Sequence, residues 1–376
     1  MNSDTRTARL VIAFAPAAAA TRTSPAPHVS ARVPHGSKSM QLSTLASSLF
    51  LAALVAACGD SSSSDAGPKG ASASGPKTFK IALIPKGTAH EFWKAVEQGA
   101  RRADEELADL TIVWKGPSGE GDAAAQIALV ESFLADGIDG LCLAPLDARA
   151  LEKPVRAAAA AKVPVVIFDS GLASKDAPIE SFVATDNYVG GGMAGDALAA
   201  ALGGKGRVLL LRYVLGSEST EQREKGFLDA LAKHPGIEVV SSDKHAGPTE
   251  ADAVAAAETL LSNFGDKLDG AFCSNESATS GFLTALGRDS RALAGKVVVV
   301  GFDSSTKIEE ALVAGTLRAT VVQDPVRMGY LAVKTMHQRL TGGTPERRID
   351  TGERLFTLAD MPAEQVAAIR ARLSAK

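Results

Sequence analysis

The stretch "GLCLAPLDARALEKPVRAAAAAKVPVVIFDS", residues 140–170, decides the fold. It opens on a short apolar run, "GLCLAP", and closes on another, "VPVVIFDS". Between them, residues 148–161 form an alanine-rich amphipathic segment that reads as a helix. Two unbroken apolar runs joined by a helix make a βαβ unit, whose strands lie buried on both faces of a parallel sheet.

The unit repeats in both directions. Upstream, "KIALIP" leads to a helix at 91–107 and "LTIVWKG" to a helix at 123–136. The series stops around "SFVATDN", residues 181–187. A second series follows. Helices at 189–201, 221–233, 250–264, 277–286 and 308–314 lead in turn to "GRVLLL", "IEVVSSD", "DGAFCSN", "KVVVVGFD" and "RATVVQD", and a last helix spans 325–340. The fold class is α/β, with two doubly wound parallel-sheet lobes. A chain of 376 residues has length for two domains.

With 45% hydrophobic residues, 22% charged residues and a net charge of −3, the chain lacks the basic excess of a nucleic-acid binder. Its beginning reads differently from the rest. The apolar run "LASSLFLAALVAA", residues 45–57, is too short for a membrane span. Val55-Ala56-Ala57-Cys58 resembles a bacterial lipobox, which would make Cys58 the lipid-modified first residue of the mature protein; the alternative is a buried thiol in a core helix. The Ser- and Gly-rich stretch up to residue 77 has the composition of a flexible tether. Residues 1–39 carry Arg and Pro without periodicity, consistent with an over-called start and translation from Met40, although the segment after Met40 lacks a positive charge. Cys142 and Cys273 sit in strand-like runs of different lobes and are expected as two separate buried thiols.

Ligands of open α/β sheets bind beyond the carboxyl ends of the strands. The residues there are Lys86, His90, Phe92 and Trp93, then Asp169-Ser170, Arg212 and Arg223, Asn275-Glu276, Asp303, and Gln323-Asp324. Carboxylates accept from paired hydroxyls, while Arg, Asn and Gln donate to ring and hydroxyl oxygens, and aromatic rings pack on sugar C–H faces. The set suits a polyhydroxylated ligand. In the first helix, Phe92, Val96, Ala100, Ala103 and Leu107 form the core stripe, and Trp93 falls off it beside Glu97 and Arg101. Trp93 is therefore assigned to ligand stacking. The ligand role is preferred for Asp303 over a helix cap or strand end, for Asn275 over an Asx turn and for Arg223 over a solvated charge, while Gln323 is balanced between ligand and plain hinge. Lys86 and Lys115 are either surface lysines or a bias toward an anionic ligand.

Together, "HEFWKAVEQGA", "GIDGLCLAPLD", "VPVVIFDS", "VATDNYVGGGMAGD", "REKGF", "GAFCSNE", "VVVVGFD" and "LRATVVQDP" resemble the periplasmic sugar-binding proteins of the ribose-binding type. Those are soluble receptors for ABC importers with a fold related to LacI-type repressor cores. The likeness runs from about residue 78 to about residue 351. It implies a periplasmic binding protein of type I, with lobes joined by a three-crossing hinge near 185–186, 323–324 and 351–353. One lobe would be 78–185 plus 324–352 and the other 186–323 plus 353–376, preceded by an export signal at 1–57 and a lipoprotein tether at 58–77. It assigns ligand contacts to His90 (asparagine in the ribose receptor), Phe92, Trp93, Asp169, Arg223, Asn275, Asp303 and Gln323. Ser170 stands where that receptor has arginine, and "KHAGPTE" after Asp243 lacks a frequent aromatic; both put ribose itself in doubt.

The expected function is a lipid-anchored monomer, periplasmic or at the cell surface, that captures a monosaccharide or related polyol and delivers it to an ABC importer. Signalling to a membrane sensor and binding of a sugar acid or phosphate are the alternatives. No cofactor or metal is expected. The first strand–helix turn lacks G-x-G-x-x-G and a Walker lysine, and no serine elbow, H-E-x-x-H or Cys/His metal spacing occurs. "GGG" at 190–192 does not follow a strand as a phosphate loop would. A repressor would need an N-terminal helix-turn-helix where this chain has an export-like segment.

Overall fold

A computed structural model of the protein describes residues 78–374. The export segment, the tether and Cys58 lie outside the described residues, among which no helix is long and apolar enough to cross a membrane.

The chain runs β1 (Phe79–Ile84), α1 (Glu91–Glu106), β2 (Leu110–Trp114), α2 (Ala123–Ala135), β3 (Gly140–Leu143), α3 (Glu152–Ala160), β4 (Val165–Phe168) and β5 (Ser181–Ala184). It continues as α4 (Asn187–Ala201), β6 (Lys205–Leu211), α5 (Glu218–Leu231), β7 (Gly236–Ser241), α6 (Glu250–Phe264), β8 (Gly270–Cys273) and α7 (Glu276–Arg288). Then follow β9 (Val298–Phe302), α8 (Thr306–Ala314), β10 (Ala319–Gln323), α9 (Pro325–Leu340), β11 (Arg348–Asp350), β12 (Glu353–Phe356) and α10 (Ala363–Ser374). The expected helix at 148–161 starts later, at Glu152, because the Asp147 carboxylate accepts from the amides of Arg149 (2.9 Å) and Ala150 (2.7 Å) and holds a turn first. The final helix expected at 325–340 is not final: β11, β12 and α10 follow it.

Two six-stranded sheets result, ordered β11-β5-β4-β3-β1-β2 and β12-β10-β9-β8-β6-β7. The first is parallel throughout; in the second, β12 pairs antiparallel with β10. Each is covered on both faces, and the strand period of two decides which side chain goes where. Ile81 and Leu83 of β1 pack with α1 and α9, while Ala82 and Ile84 face the opposite layer with α2 and α3. In the second lobe, Leu209 and Leu211 face α6, α7 and α8, and Val208 and Leu210 face α4 and α5. Cys142 and Cys273 are free, buried thiols, and burial pushes both well above the ordinary thiol range.

Three crossings join the lobes: β5 to α4, β10 to α9, and β11 to β12. The first two are built alike. Asp186 caps α4 by accepting from the Val189 amide at 3.0 Å, and Asp324 caps α9 by accepting from the Arg327 amide at 2.9 Å, with Pro325 opening that helix. The third turns at Gly352 (φ 82°), next to a hydroxyl pair between Thr185 and Thr351 at 3.3 Å.

Each lobe also contains one close helix crossing at paired glycines. A Cβ at Gly191 of α4 would meet the Arg223 carbonyl oxygen at 1.9 Å, and one at Gly226 of α5 would meet the Tyr188 carbonyl at 2.0 Å. Gly99 of α1 and Gly329 of α9 are matched in the same way. The "GGG" run is thus a packing surface that sets the position of Arg223. Gly191→Ala should destabilise the protein by about 1–3 kcal/mol through overpacking, read from urea unfolding. Gly287→Ala, at a helical position with open space, should be neutral or add up to about 1 kcal/mol.

Candidate ligand-binding site

The carboxyl ends of both sheets face one cavity of about 30 Å3. From the first lobe it is lined by Lys86, His90, Phe92, Trp93, Glu120 and Asp169. From the second come Tyr213, Ser219, Thr220, Arg223, Asn275, Glu276 and Asp303, with Gln323 at the end of β10. Of the strand-end candidates, Lys115, Ser170, Arg212 and Asp324 are not in this lining. Lys115 is exposed on the loop after β2. Ser170 is fully buried, and its Oγ accepts from the Ser219 amide of the other lobe at 3.0 Å, so it joins the lobes rather than facing the cavity.

The aromatic pair corrects the helical-wheel reading. Trp93, expected off the core stripe, is buried in the lobe core at 3% exposure, whereas Phe92 is only partly buried. The Trp93 ring meets Phe92 edge-on (centroids 4.9 Å apart, planes at 84°) and Phe168 likewise (6.4 Å, 76°). Its Nε1–H donates to Glu120 at 2.8 Å. Trp93 is at once a core residue and part of the cavity wall.

Asp169 and Asp303 follow β4 and β9 in equivalent places, and both adopt left-handed backbone, φ 62° and 71°. Aspartate tolerates this conformation better than most residues, and such positions recur at functional sites. Asp303 accepts from Gln323 Nε2 at 2.6 Å and from the Glu276 amide at 3.1 Å. Arg223 is no solvated charge. It is 3% exposed, donates to Asn187 Oδ1 at 2.8 Å and to the Ser274 carbonyl at 3.0 Å, lies 3.6 Å from Asp303, and stacks over Phe302 at 3.8 Å. Asn275 does perform the capping role, accepting from the Ala278 amide at 3.1 Å, and lines the cavity as well. Lys86 is buried, pairs with Asp169 at 3.1 Å, and donates across the cleft to Ser217 and Ser219 at 3.2 and 2.9 Å. Arg212 points elsewhere, to Glu224 at 2.6 Å.

The sequence reading did not name Glu120, Tyr213, Ser219 or Thr220, and it placed Glu276 at a strand end without assigning it a ligand contact. Each lies within a few residues of a strand end or at the start of α5, so the strand-end rule contains them, but nothing in their residue types separates them from ordinary loop polarity. Tyr213 also supplies an aromatic from the second lobe, which the loop after Asp243 lacks.

A family model of the periplasmic binding protein domain matches residues 81–344. The chain belongs to the periplasmic binding protein family. Among relatives of this periplasmic binding protein, a D-ribose/D-allose-binding protein of Pseudomonas aeruginosa is 31% identical over 281 residues, 73% of this chain and 86% of its own. A carbohydrate transporter solute-binding protein of Agrobacterium radiobacter, solved with D-arabinose, is 35% identical with a TM-score of 0.72, covering 78% of this chain and 98% of the other. An ABC transporter solute-binding protein of Agrobacterium vitis with bound D-fucose is 33% identical, TM-score 0.72, covering 77% and 98%.

In this periplasmic binding protein the lobes are joined at helix N-termini. Glu276, at the start of α7, accepts from the amides of Phe92 (3.1 Å) and Glu91 (3.3 Å) at the start of α1. Glu91 in turn accepts from the Thr306 amide of α8 at 3.3 Å, and Glu218 accepts from the Gly171 amide at 2.9 Å. α1 has no side-chain cap from its own lobe, so the partner lobe supplies it.

Burial raises the Glu276 carboxyl to about 7, against the lowering effect of the Phe92 amide and His90. Burial also raises the Asp303 carboxyl, partly offset by Arg223 and Gln323. A carboxyl raised from 4.5 to about 7 holds its proton more tightly in the folded state, so its contribution favours folding at low pH and is lost as pH climbs through that window. The melting temperature of Glu276→Gln relative to the wild type should therefore rise between pH 5 and pH 8, as followed by scanning calorimetry in matched buffers.

Proposed function

We propose that the protein is an extracytoplasmic solute-binding protein that captures a neutral monosaccharide or related polyol between its lobes and delivers it to an ABC importer. One observation carries the reading: each cation in the cavity is matched by a carboxylate, Lys86 with Asp169 at 3.1 Å, His90 with Glu120 at 2.6 Å and Arg223 with Asp303 at 3.6 Å. An anionic sugar would need an unmatched cation, whereas a hydroxyl-rich neutral guest needs donors and acceptors in balance. Gln323 Oε1 is buried without a partner and fits a hydroxyl donor.

In this reading His90, Phe92, Trp93, Asp169, Arg223, Asn275, Asp303 and Gln323 contact the guest, and Lys86 helps close the lobes. The ligands named for the relatives, ribose or allose, arabinose and fucose, support a pentose or hexose. A 30 Å3 cavity has room for about two waters, so a sugar enters by spreading the lobes about the three crossings. The lobes are 78–185 plus 324–352 and 186–323 plus 353–376. The run at 45–57, Cys58 and the Ser/Gly-rich tether support lipid anchoring in the periplasm or on the cell surface, where the protein would act as a monomer, by binding without turnover.

A thermal-shift panel of pentoses, hexoses, inositols, sugar acids and sugar phosphates tests this. A neutral sugar should raise the melting temperature by mass action and change tryptophan fluorescence. Trp93→Phe should weaken that binding about fivefold, ~1 kcal/mol. A panel with no shift from any neutral sugar overturns the reading.

A further inference from the structure

Glu120 makes contacts that no expected contact residue makes. It sits in the loop between β2 and α2 at 7% exposure, and its carboxylate serves three side-chain donors. His90 Nδ1 lies 2.6 Å and Trp93 Nε1 2.8 Å from Oε1, both within the first lobe. The Tyr213 hydroxyl donates to Oε2 at 3.0 Å from the second lobe. Glu120 lines the cavity, but these partners occupy its carboxylate and give it a supporting role there. His90 lines the cavity too, and its Nε2 has no protein partner among the described residues.

A buried carboxylate on one imidazole nitrogen fixes the ring orientation and favours the doubly protonated form. We propose that Glu120 is a positioning residue that keeps His90 as an imidazolium, making Nε2–H a fixed donor and selecting guests that place an acceptor oxygen at that corner. An asparagine there would offer either a donor or an acceptor; an imidazolium offers only the donor. The acidic groups facing His90 all favour its charge. Burial opposes the charge, but Glu120 from the loop, Glu276 from the start of α7 and Asp303 after β9 outweigh it and raise the imidazole to about 9. Lys86, Asp169 and Arg223 line the same cavity, with Lys86 and Asp169 paired and Arg223 on Asp303. Burial works to raise the Glu120 carboxyl, but His90, then Lys86 and Trp93, hold it below its usual range.

The proposal deepens the sugar reading and rests on it only for the ligand arm of the test. In the first arm, nitrogen-15 NMR of labelled histidine in the ligand-free protein reads the charge on His90 directly. His90 should be an imidazolium at pH 8 and titrate near 9, and Glu120→Gln, which leaves burial opposing the charge, should make it neutral at pH 8. A neutral His90 at pH 8 in the wild type, or no change in Glu120→Gln, overturns the proposal whether or not any sugar binds. In the second arm, D-arabinose is titrated calorimetrically from pH 7 to 10. A raised histidine is charged below its pKa, so affinity should hold up to about pH 9 and then fall about tenfold per pH unit, with the fall absent in His90→Asn. Wild-type affinity that stays flat to pH 10 overturns the donor role. Failure of D-arabinose to bind at any pH counts against the sugar reading, and the NMR arm still decides the role of Glu120.

Discussion

A helix begins with amide groups that have no acceptor in its own first turn, and in this protein α1, α5 and α8 each receive one from the opposite lobe. A parallel sheet delivers every following helix with its N-terminus at the same edge, so both lobes bring bare amides and partial positive charge to the cleft. Glu276 reaches over to α1, Glu91 to α8, and Ser170 to α5. The join is reciprocal and uses short side chains at fixed helix starts, so it defines one relative placement of the lobes.

The cavity chemistry grows out of the same constraint. Where so many donors converge, carboxyl groups find partners, and Asp169, Asp303, Glu120 and Glu276 gather there. Cations then arrive as partners rather than as a surplus. Arg223 is held on four sides, by Asn187, the Ser274 carbonyl, Asp303 and the Phe302 ring. A guest meeting such a group spends little on ordering it. The left-handed backbone at both strand-end aspartates is a local cost that the surrounding hydrogen bonds offset, as when the Asp303 amide donates to the Val321 carbonyl and the Thr320 hydroxyl donates to the Asp303 carbonyl.

What could be read from sequence was whatever depends on the sheet. Central strands are buried on both sides, so Ile81–Ile84 or Val165–Phe168 appear as unbroken apolar runs, and the residues after them were found by position alone. What depends on distant partners could not be read. The wheel for α1 chose Phe92 over Trp93 because it knows only the helix; the face that is buried is set by α9, some 230 residues later, and the indole's polar partner is a glutamate in a glycine-rich loop. Glu120 in "GPSGEGD" looks like a solvated charge until the fold folds that loop over the cavity. β11 and β12 carry charged residues and three or four positions each, too few for a period to show.

The late crossings have a consequence for biosynthesis. The first lobe lacks its α9 cover and its edge strand β11 until residues 325–350 have been made, and by then nearly all of the second lobe precedes them on the ribosome. The second lobe in turn waits for β12 and α10. Neither half is a finished body while the chain is growing; each keeps apolar surface open until the last segment arrives, which gives a chaperone a long interval in which to hold the chain unfolded.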